Sequence, residues 1–203
     1  MIYFYEWIFQ DAVEDFLEAE VKLTIEKKWY LFIAITMTGV VLDWFTKYLA
    51  VTHLRVGVPV NVIGHYAQFL LVFNKAAIWG IDPRALLPWF PLNGFFYVFN
   101  VIAMIVIVLY FRTLKPSDRL MQWGIALIMP GALGNILDRV LHARIGVVDF
   151  IRLGVSDRLY WAIFNCADIY VTFGVAIMLW YFLFEEKKQK AAVAQEQGSG
   201  PAI

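Results

Sequence analysis

Long apolar stretches alternate with polar segments along this chain and predict four membrane-spanning helices. A helix needs about 20 mostly apolar residues to cross a bilayer. Stretches of that character occupy residues 29–51, 94–111, 120–137 and 159–184. We therefore expect an all-α polytopic membrane protein whose four-span domain covers residues 29–184.

The segment between the first two predicted spans carries a different pattern. Valine alternates with other residues over 56–63, which is typical of a half-buried strand, and 66–73 is a candidate partner strand. Pro59 favours an edge position for the first strand. Residues 85–92 are rich in Leu, Trp and Phe and predict a short interfacial helix. Residues 54–92 are thus predicted to form a small extracytoplasmic β-sheet with an interfacial helix, a platform for an extended peptide.

The two ends of the chain differ from its apolar middle. Residues 1–28 contain seven acids and three lysines, unlike the basic start of a cleavable signal peptide. Two interpretations of this extension remain open: an amphipathic helix lying at the membrane interface, or a partly disordered tail. Residues 185–203 are rich in Ala, Gln and Gly, which predicts a disordered cytoplasmic tail.

Composition and charge agree with a membrane protein and indicate its orientation. Hydrophobic residues make up 61% of the chain, against roughly 45–50% in soluble domains. A net charge of zero argues against a nucleic-acid partner. Seven of nine lysines lie on the side of both termini, which the positive-inside rule makes cytoplasmic. Six of eight arginines fall on the other side, but we give them less weight because they lie in long loops near acids.

The unusual polar residues are all predicted near the outer face. Asp43 and Lys47, four residues apart in the first span, share a helix face and favour a structural ion pair. Asp138 ends the third span, Asp149 lies in the loop after it, and Asp168 begins the fourth. A carboxylate within a membrane span is costly, so Asp168 needs a functional reason. Two carboxylates sharing a site split their pKa values, as in an aspartyl hydrolase, and Asp149 with Asp168 are the candidate pair.

Three other polar groups have structural as well as functional interpretations. The block 131–139 contains glycines that allow close helix packing, so a scaffold is favoured over direct chemistry. Asn165 lies three residues before Asp168 and either orients that acid or makes a polar packing contact. Asn74 either binds a substrate backbone or caps a turn.

Other kinds of catalytic site are poorly supported. The three serines lie outside the spans, and the scattered histidines include no His-Glu-x-x-His motif, which disfavours serine proteases and zinc proteases. The single Cys166 excludes a disulfide framework and a cysteine-rich metal site. We expect no metal and no cofactor. A transporter or proton relay using paired carboxylates is the alternative, disfavoured because the acids cluster at one face. A catalytically silent assembly protein is disfavoured because it need not keep both acids.

Five motifs in order resemble those of bacterial lipoprotein signal peptidase, or signal peptidase II, an aspartyl protease of the inner membrane. The motifs are Asp43-Trp44-Phe45-Thr46-Lys47, Asn74-Lys75-Ala76-Ala77-Ile78-Trp79-Gly80, the block 131–139, Val147-Val148-Asp149-Phe150 and Phe164-Asn165-Cys166-Ala167-Asp168. Two positions depart from the family pattern, since Ala76 replaces a glycine and Trp79 a phenylalanine.

This resemblance implies cleavage of prolipoproteins just before a diacylglyceryl-modified cysteine, at the outer face of the bacterial inner membrane. It implies Asp149 and Asp168 as the catalytic residues, membrane lipid and prolipoprotein as partners, and globomycin-like inhibitors. It also implies a set of substrate-binding or site-supporting residues, namely Asn74, Asn135, Arg139, Asn165, Asp43, Lys47 and Asp138.

Overall fold

The computed structural model describes residues 2–74, 92–141, 146–156 and 159–185. The helices in these ranges are α1 (Ile2–His53), α2 (Leu92–Thr113), α3 (Arg119–Leu141) and α4 (Cys166–Trp180), the last continuing as a π-helical segment, Tyr181–Glu185. The strands in the same ranges are β1 (Val60–Ile63), β2 (Ala67–Asn74), β3 (Val147–Ser156) and β4 (Leu159–Tyr160). Except for Leu92 and Glu185, the predicted interfacial helix (85–92) and the predicted C-terminal tail (185–203) lie outside the described residues.

Three described helices are long and apolar enough to cross a membrane: Lys27–His53, Arg119–Leu141 and Cys166–Phe184. A fourth apolar stretch, Tyr97–Thr113 in α2, is shorter. The structure therefore confirms a mostly helical membrane architecture with a small sheet. The predicted extension is continuous with the first of these helices, because α1 runs without a break from Ile2 to His53.

The sheet is antiparallel, with the strand order β1-β2-β3-β4. The predicted pairing of the first two strands is confirmed, and β1 lies at the edge, directly after Pro59. The first strand begins later than predicted. Gly57 adopts a positive φ of 76°, and the Val58 N–H donates to Arg55 O, so the chain turns at this point. The Gly57 N–H bonds to the Leu71 carbonyl oxygen of β2 at 3.0 Å, but the regular ladder begins only at Val60.

The interpretation of Asp149 as a loop residue was wrong, because it lies on β3. Residues 147–150 are all buried, and a strand covered on both faces lacks the alternation that marks a half-buried strand. The predicted start of the fourth span was also wrong. Residues 159–160 pair with β3, and α4 begins at Cys166, where Asn165 caps it.

Two buried apolar clusters pack the helices and the sheet. The first joins α1, α2 and α3 near the start of α3, and the second joins the end of α1 to β2 and β3. Helices α3 and α4 approach closely at glycines. A Cβ on Gly174 would lie 2.6 Å from the Gly124 carbonyl oxygen, and one on Gly131 would collide with the Ala167 carbonyl oxygen. This close contact fixes the beginning of α4 against the middle of α3.

Candidate active site

Asp149 is held between two amide side chains. Its side chain is buried, with the residue 3% exposed, on the third position of β3. Asn74 pairs with Val147 across the β2–β3 ladder, which puts Asn74 on the same sheet face as Asp149. The Asn74 Nδ2 donates to Asp149 Oδ2 at 2.9 Å, and the Asn165 Nδ2 donates to Oδ1 at 2.7 Å. Both carboxylate oxygens therefore accept a hydrogen bond.

Asp168 lies in the first turn of α4, at the third helical position, where it completes a capping box with Asn165. The Asn165 backbone N–H donates to Asp168 Oδ2 at 3.0 Å, and the Asp168 N–H donates to Asn165 Oδ1 at 3.1 Å. These bonds satisfy two of the N–H groups that a helix start leaves free. The remaining oxygen, Oδ1, accepts a bond from the Asn135 Nδ2 at 3.0 Å.

Asn165 connects the two acids. Asn165 is 0% exposed. Its Nδ2 lies 2.7 Å from Asp149 Oδ1, 3.1 Å from Asn135 Oδ1 and 3.2 Å from the Val148 carbonyl oxygen. The same side chain caps the helix that carries Asp168. A fully buried amide whose donors and acceptor are all used fixes the strand relative to the helix.

Lys47 lies beside the acids and is only 4% exposed. Its Nζ is 2.7 Å from Asp43 Oδ2, 2.9 Å from Asp138 Oδ2 and 3.3 Å from Asn135 Oδ1. Three acceptors match the three N–H bonds of an ammonium group. The predicted structural pair of Asp43 and Lys47 is therefore present, and Asp138 joins it.

Arg139 lies at the end of α3 beside the same cluster. Its guanidinium donates to the Asn135 carbonyl oxygen at 3.1 Å, and its charge interacts with those of Asp149 and Asp168. The Tyr97 hydroxyl of α2 donates to the Arg139 carbonyl oxygen. Tyr97 thus links α2 to this part of the site.

Asp149 differs electrostatically from an ordinary aspartate. Burial raises its pKa to about 7, hydrogen bonds from Asn74 and Asn165 oppose that rise, and the nearby Asp168 charge adds to it. At neutral pH Asp149 is therefore protonated for part of the time, which suits it for acid and base chemistry.

All nine predicted site residues lie in one continuous network of hydrogen bonds and ion pairs. The predicted roles of these residues stay predictions. The Tyr97 bond had no sequence signal. Thr46 and Cys166 belong to quoted motifs, but the bond from the Thr46 hydroxyl to Cys166 Sγ at 3.3 Å was not predicted. Within the described parts of the chain, no group of three or more His, Cys, Asp or Glu side chains could hold a metal ion.

These features define a helical membrane protein in which a buried carboxylate, Asp149, and a half-buried one, Asp168, lie where a sheet meets the helices. The family of signal peptidase (SPase) II matches residues 35–184, and the chain belongs to this family. The chain is a bacterial membrane protein and a protease of the lipoprotein-processing class.

Curated relatives agree with the family assignment. The lipoprotein signal peptidase of Geobacillus kaustophilus is 35% identical over 74% of this chain and 92% of its own length. That of Listeria monocytogenes serotype 4a is 33% identical over 77% and 95%. A solved structure described as a bacterial membrane enzyme at 2.3 Å resolution has a TM-score of 0.67, with 31% identity over 78% of this chain and 90% of its own. A second, at 1.9 Å, has a TM-score of 0.63 and 33% identity over 76% and 93%.

Proposed function

We propose that this protein is an intramembrane aspartyl endopeptidase that cleaves prolipoproteins before their diacylglyceryl-modified cysteine. The single observation that carries the proposal is the bridge through Asn165, whose buried amide contacts Asp149 and caps the helix of Asp168. A bridge of this kind holds two carboxylates at one reacting bond. Family membership supports the prolipoprotein substrate and disfavours the transporter alternative.

The mechanism divides the work between an ionised and a protonated carboxyl. The ionised one takes a proton from a water molecule, and that water attacks the scissile carbonyl carbon. The protonated one hydrogen-bonds the carbonyl oxygen as negative charge develops there. The C–N bond then breaks, the amine of the cysteine leaves with a proton from the acid pair, and a new carboxylate remains on the signal peptide. Asp149 and Asp168 are the proposed catalytic residues.

Four neighbours of the acids are proposed to position the substrate backbone or support the site. They are Asn74, Asn135, Arg139 and Asn165. Arg139 carries a positive charge close to both acids, which suits a group that stabilises negative charge during the reaction. Globomycin-like inhibitors would occupy the same place as the substrate.

The membrane arrangement is also part of the proposal. Helices α1 to α4 would form four spans with both termini in the cytoplasm, since seven of the nine lysines lie on that side. Asp149 and Asp168 would then lie near the outer face. The lipid chains of the substrate would stay in the bilayer and hold the modified cysteine at headgroup depth.

Cleavage of a lipid-modified substrate tests the proposal. The purified protein in detergent would receive one prolipoprotein in two forms, with and without the diacylglyceryl group on its cysteine. We expect cleavage of the modified form alone, with the product masses placing the broken bond directly before the cysteine. Cleavage of both forms at equal rates, or at another bond, would contradict the proposed specificity.

A further inference from the structure

A second pair of acids, Asp43 and Asp138, contacts the backbone next to the two proposed catalytic acids. Asp43 Oδ1 accepts the Ala167 backbone N–H at 2.8 Å, and Ala167 directly precedes Asp168. Asp138 Oδ2 accepts the Val148 N–H at 3.1 Å, and Val148 directly precedes Asp149. The two contacts are alike, since each carboxylate holds the peptide N–H one residue before a catalytic acid.

A single cation joins these two carboxylates. The Lys47 Nζ lies 2.7 Å from Asp43 and 2.9 Å from Asp138. A continuous chain of contacts therefore runs from Ala167 on α4 through Asp43, Lys47 and Asp138 to Val148 on β3.

We propose that Asp43, Lys47 and Asp138 form an ionic bracket that sets the separation and relative orientation of the two catalytic aspartates. The inference rests on the proposed function, because it assigns these three residues a positioning role in that reaction. They do not touch the reacting atoms. They act by fixing the two backbone segments that carry Asp149 and Asp168.

The charge arrangement supports a bracket more than simple packing. Asp43 and Asp138 repel each other, and Lys47 between them converts that repulsion into attraction on both sides. A buried ion triad loses hydration on all three groups, so an apolar trio of similar volume would stabilise the fold about as well. What an apolar trio could not do is hold two specific N–H groups, one on each catalytic segment.

The backbone near the bracket makes room for it. A Cβ at Gly134 of α3 would collide with Asp43 Oδ2, the oxygen that Lys47 contacts. Glycine at this position therefore lets the carboxylate lie directly against α3. This gives the 131–139 block a defined structural part in the site.

Replacing Lys47 with Met separates a geometric role from a purely electrostatic one. The groups facing Asp149 are Asn74 of β2, Lys47 of α1, Arg139 of α3, and Asn165 and Asp168 at the start of α4. The positive charge of Lys47 lowers the pKa of Asp149, so losing that charge alone would raise it. Losing the bracket lets β3 and α4 move apart and admits water, which lowers the pKa of Asp149 toward its ordinary value.

The experiment compares Lys47→Met with a matched control, Lys28→Met. Lys28 is also a buried lysine of α1, 5% exposed, and its Nζ contacts three backbone carbonyl oxygens far from Asp149. For each folded variant, kcat and KM would be measured on the modified prolipoprotein. The titration of Asp149 would be followed without substrate by carbon NMR of labelled aspartate, assigned with Asp149→Asn.

The bracket predicts that Lys47→Met lowers kcat by about 100-fold and changes KM by less than about twofold, because misplacement of catalytic groups by about 1 Å has an effect of that size. It predicts a lower pKa for Asp149 in Lys47→Met and no change of either quantity in Lys28→Met. An Asp149 pKa that rises or stays the same in folded Lys47→Met overturns the bracket. That outcome is independent of substrate, so it stands apart from a parent protein that fails to cleave, which would overturn the proposed function instead.

A double-mutant cycle tests the bracket if Lys47→Met does not fold. Asp43→Asn and Asp138→Asn each remove one ion pair while keeping an oxygen that can accept the N–H bond. If the two ion pairs act together, breaking either one already frees the two catalytic segments from each other. Breaking the second then lowers kcat little further, so the double variant should have a kcat within about threefold of the slower single variant. A double variant whose loss equals the product of the two single losses would mean two independent supports and no bracket.

Discussion

Lys28 and Lys47 of helix α1 are both buried, and each has three oxygen partners, but the kinds of oxygen differ. Near residue 28, the Lys28 Nζ is 2.7 Å from the Leu114, 2.9 Å from the Arg112 and 3.3 Å from the Phe111 carbonyl oxygen. At residue 47, the Lys47 Nζ contacts two carboxylates and an amide oxygen. The two residues are 5% and 4% exposed, so burial does not distinguish them.

The partners show what each end of the helix does. Lys28 meets the C-terminal carbonyls of α2, whose partial negative charge favours a cation, and so joins α1 to the α2–α3 connection. Lys47 meets full charges on side chains that themselves contact the segments of Asp149 and Asp168. The contact of Lys28 is structural. The contacts of Lys47 support the segments that carry the titratable groups of the proposed chemistry.

The largest difference between the two regions is expected in kcat when a buried amide side chain is replaced in each. Asn165→Leu removes the bridge between the acids and should lower kcat by about 1,000-fold, on the order of the loss of a preorganised hydrogen-bond donor. Its counterpart at the other end is Gln122, 5% exposed, whose Nε2 donates to the Lys115 carbonyl oxygen at 2.8 Å. Gln122→Met should keep the parent kcat. Steady-state kinetics on both folded variants checks the pair, and equal losses would contradict the division of roles.

Removal of Lys28 should affect stability and leave activity unchanged. Lys28→Met loses three hydrogen bonds from a charged group, each contributing roughly 1.5–3 kcal/mol, but it also removes the cost of burying the ammonium group. We therefore expect a net loss of about 3 kcal/mol in the free energy of unfolding. Equilibrium unfolding in detergent measures that loss. A kcat per folded molecule that falls with stability would mean that the two ends are coupled.

Two glycines of α3 provide a smaller contrast. In Gly134→Ala the new Cβ would overlap Asp43 Oδ2 and displace the carboxylate. We expect this displacement to lower kcat about tenfold. Gly124→Ala meets Ile177 Cγ2 at 3.0 Å and the Gly174 carbonyl oxygen at 3.1 Å, away from the acids, and should lower the melting temperature only. Kinetics and thermal melts of both variants separate the effects. A kcat loss in Gly124→Ala as large as that in Gly134→Ala would contradict the assignment.

The smallest expected effect is on the pH dependence of stability. Because burial raises the pKa of Asp149 to about 7, the folded protein keeps a proton there that the unfolded chain releases at pH ~4. Stability from this group therefore falls as pH rises between those values. Asp149→Asn removes that fall, so it should melt above the parent at pH 8 by a few degrees and close to it near pH 4. Parallel melting curves at all pH values would contradict the raised pKa.

Much of the site was predictable from local spacing, and the remainder depends on tertiary contacts. Asp43 and Lys47 lie four residues apart, so their pairing follows from helix geometry. That Asp138 shares the same lysine requires the packing of α3 on α1, which no local pattern encodes. The strand that carries Asp149 was missed because both of its faces are buried and its sequence therefore lacks alternation.

The start of α4 was also predicted incorrectly, although a local pattern indicated the correct position. Asn165 lies three residues before Asp168, and in the structure it is the N-cap of α4, with its side chain accepting the Asp168 N–H. A polar residue three positions before an acid is also the pattern of a capping box, and that interpretation would have placed the helix start correctly. The prediction of the fourth span followed the apolar run from residue 159 instead, but the first two residues of that run form β4.

The most direct test of the account is cleavage by variants of the two proposed catalytic acids. Asp149→Asn, Asp168→Asn and the control Asp118→Asn, a carboxyl at the other end of the molecule, would be assayed on the diacylglyceryl-modified prolipoprotein, with folding checked by thermal melt. We expect both site variants to lose at least about 1,000-fold in rate, since each acid contributes general acid–base catalysis, and we expect Asp118→Asn to cleave like the parent. A folded Asp149→Asn or Asp168→Asn that cleaves within tenfold of the parent would contradict the catalytic pair.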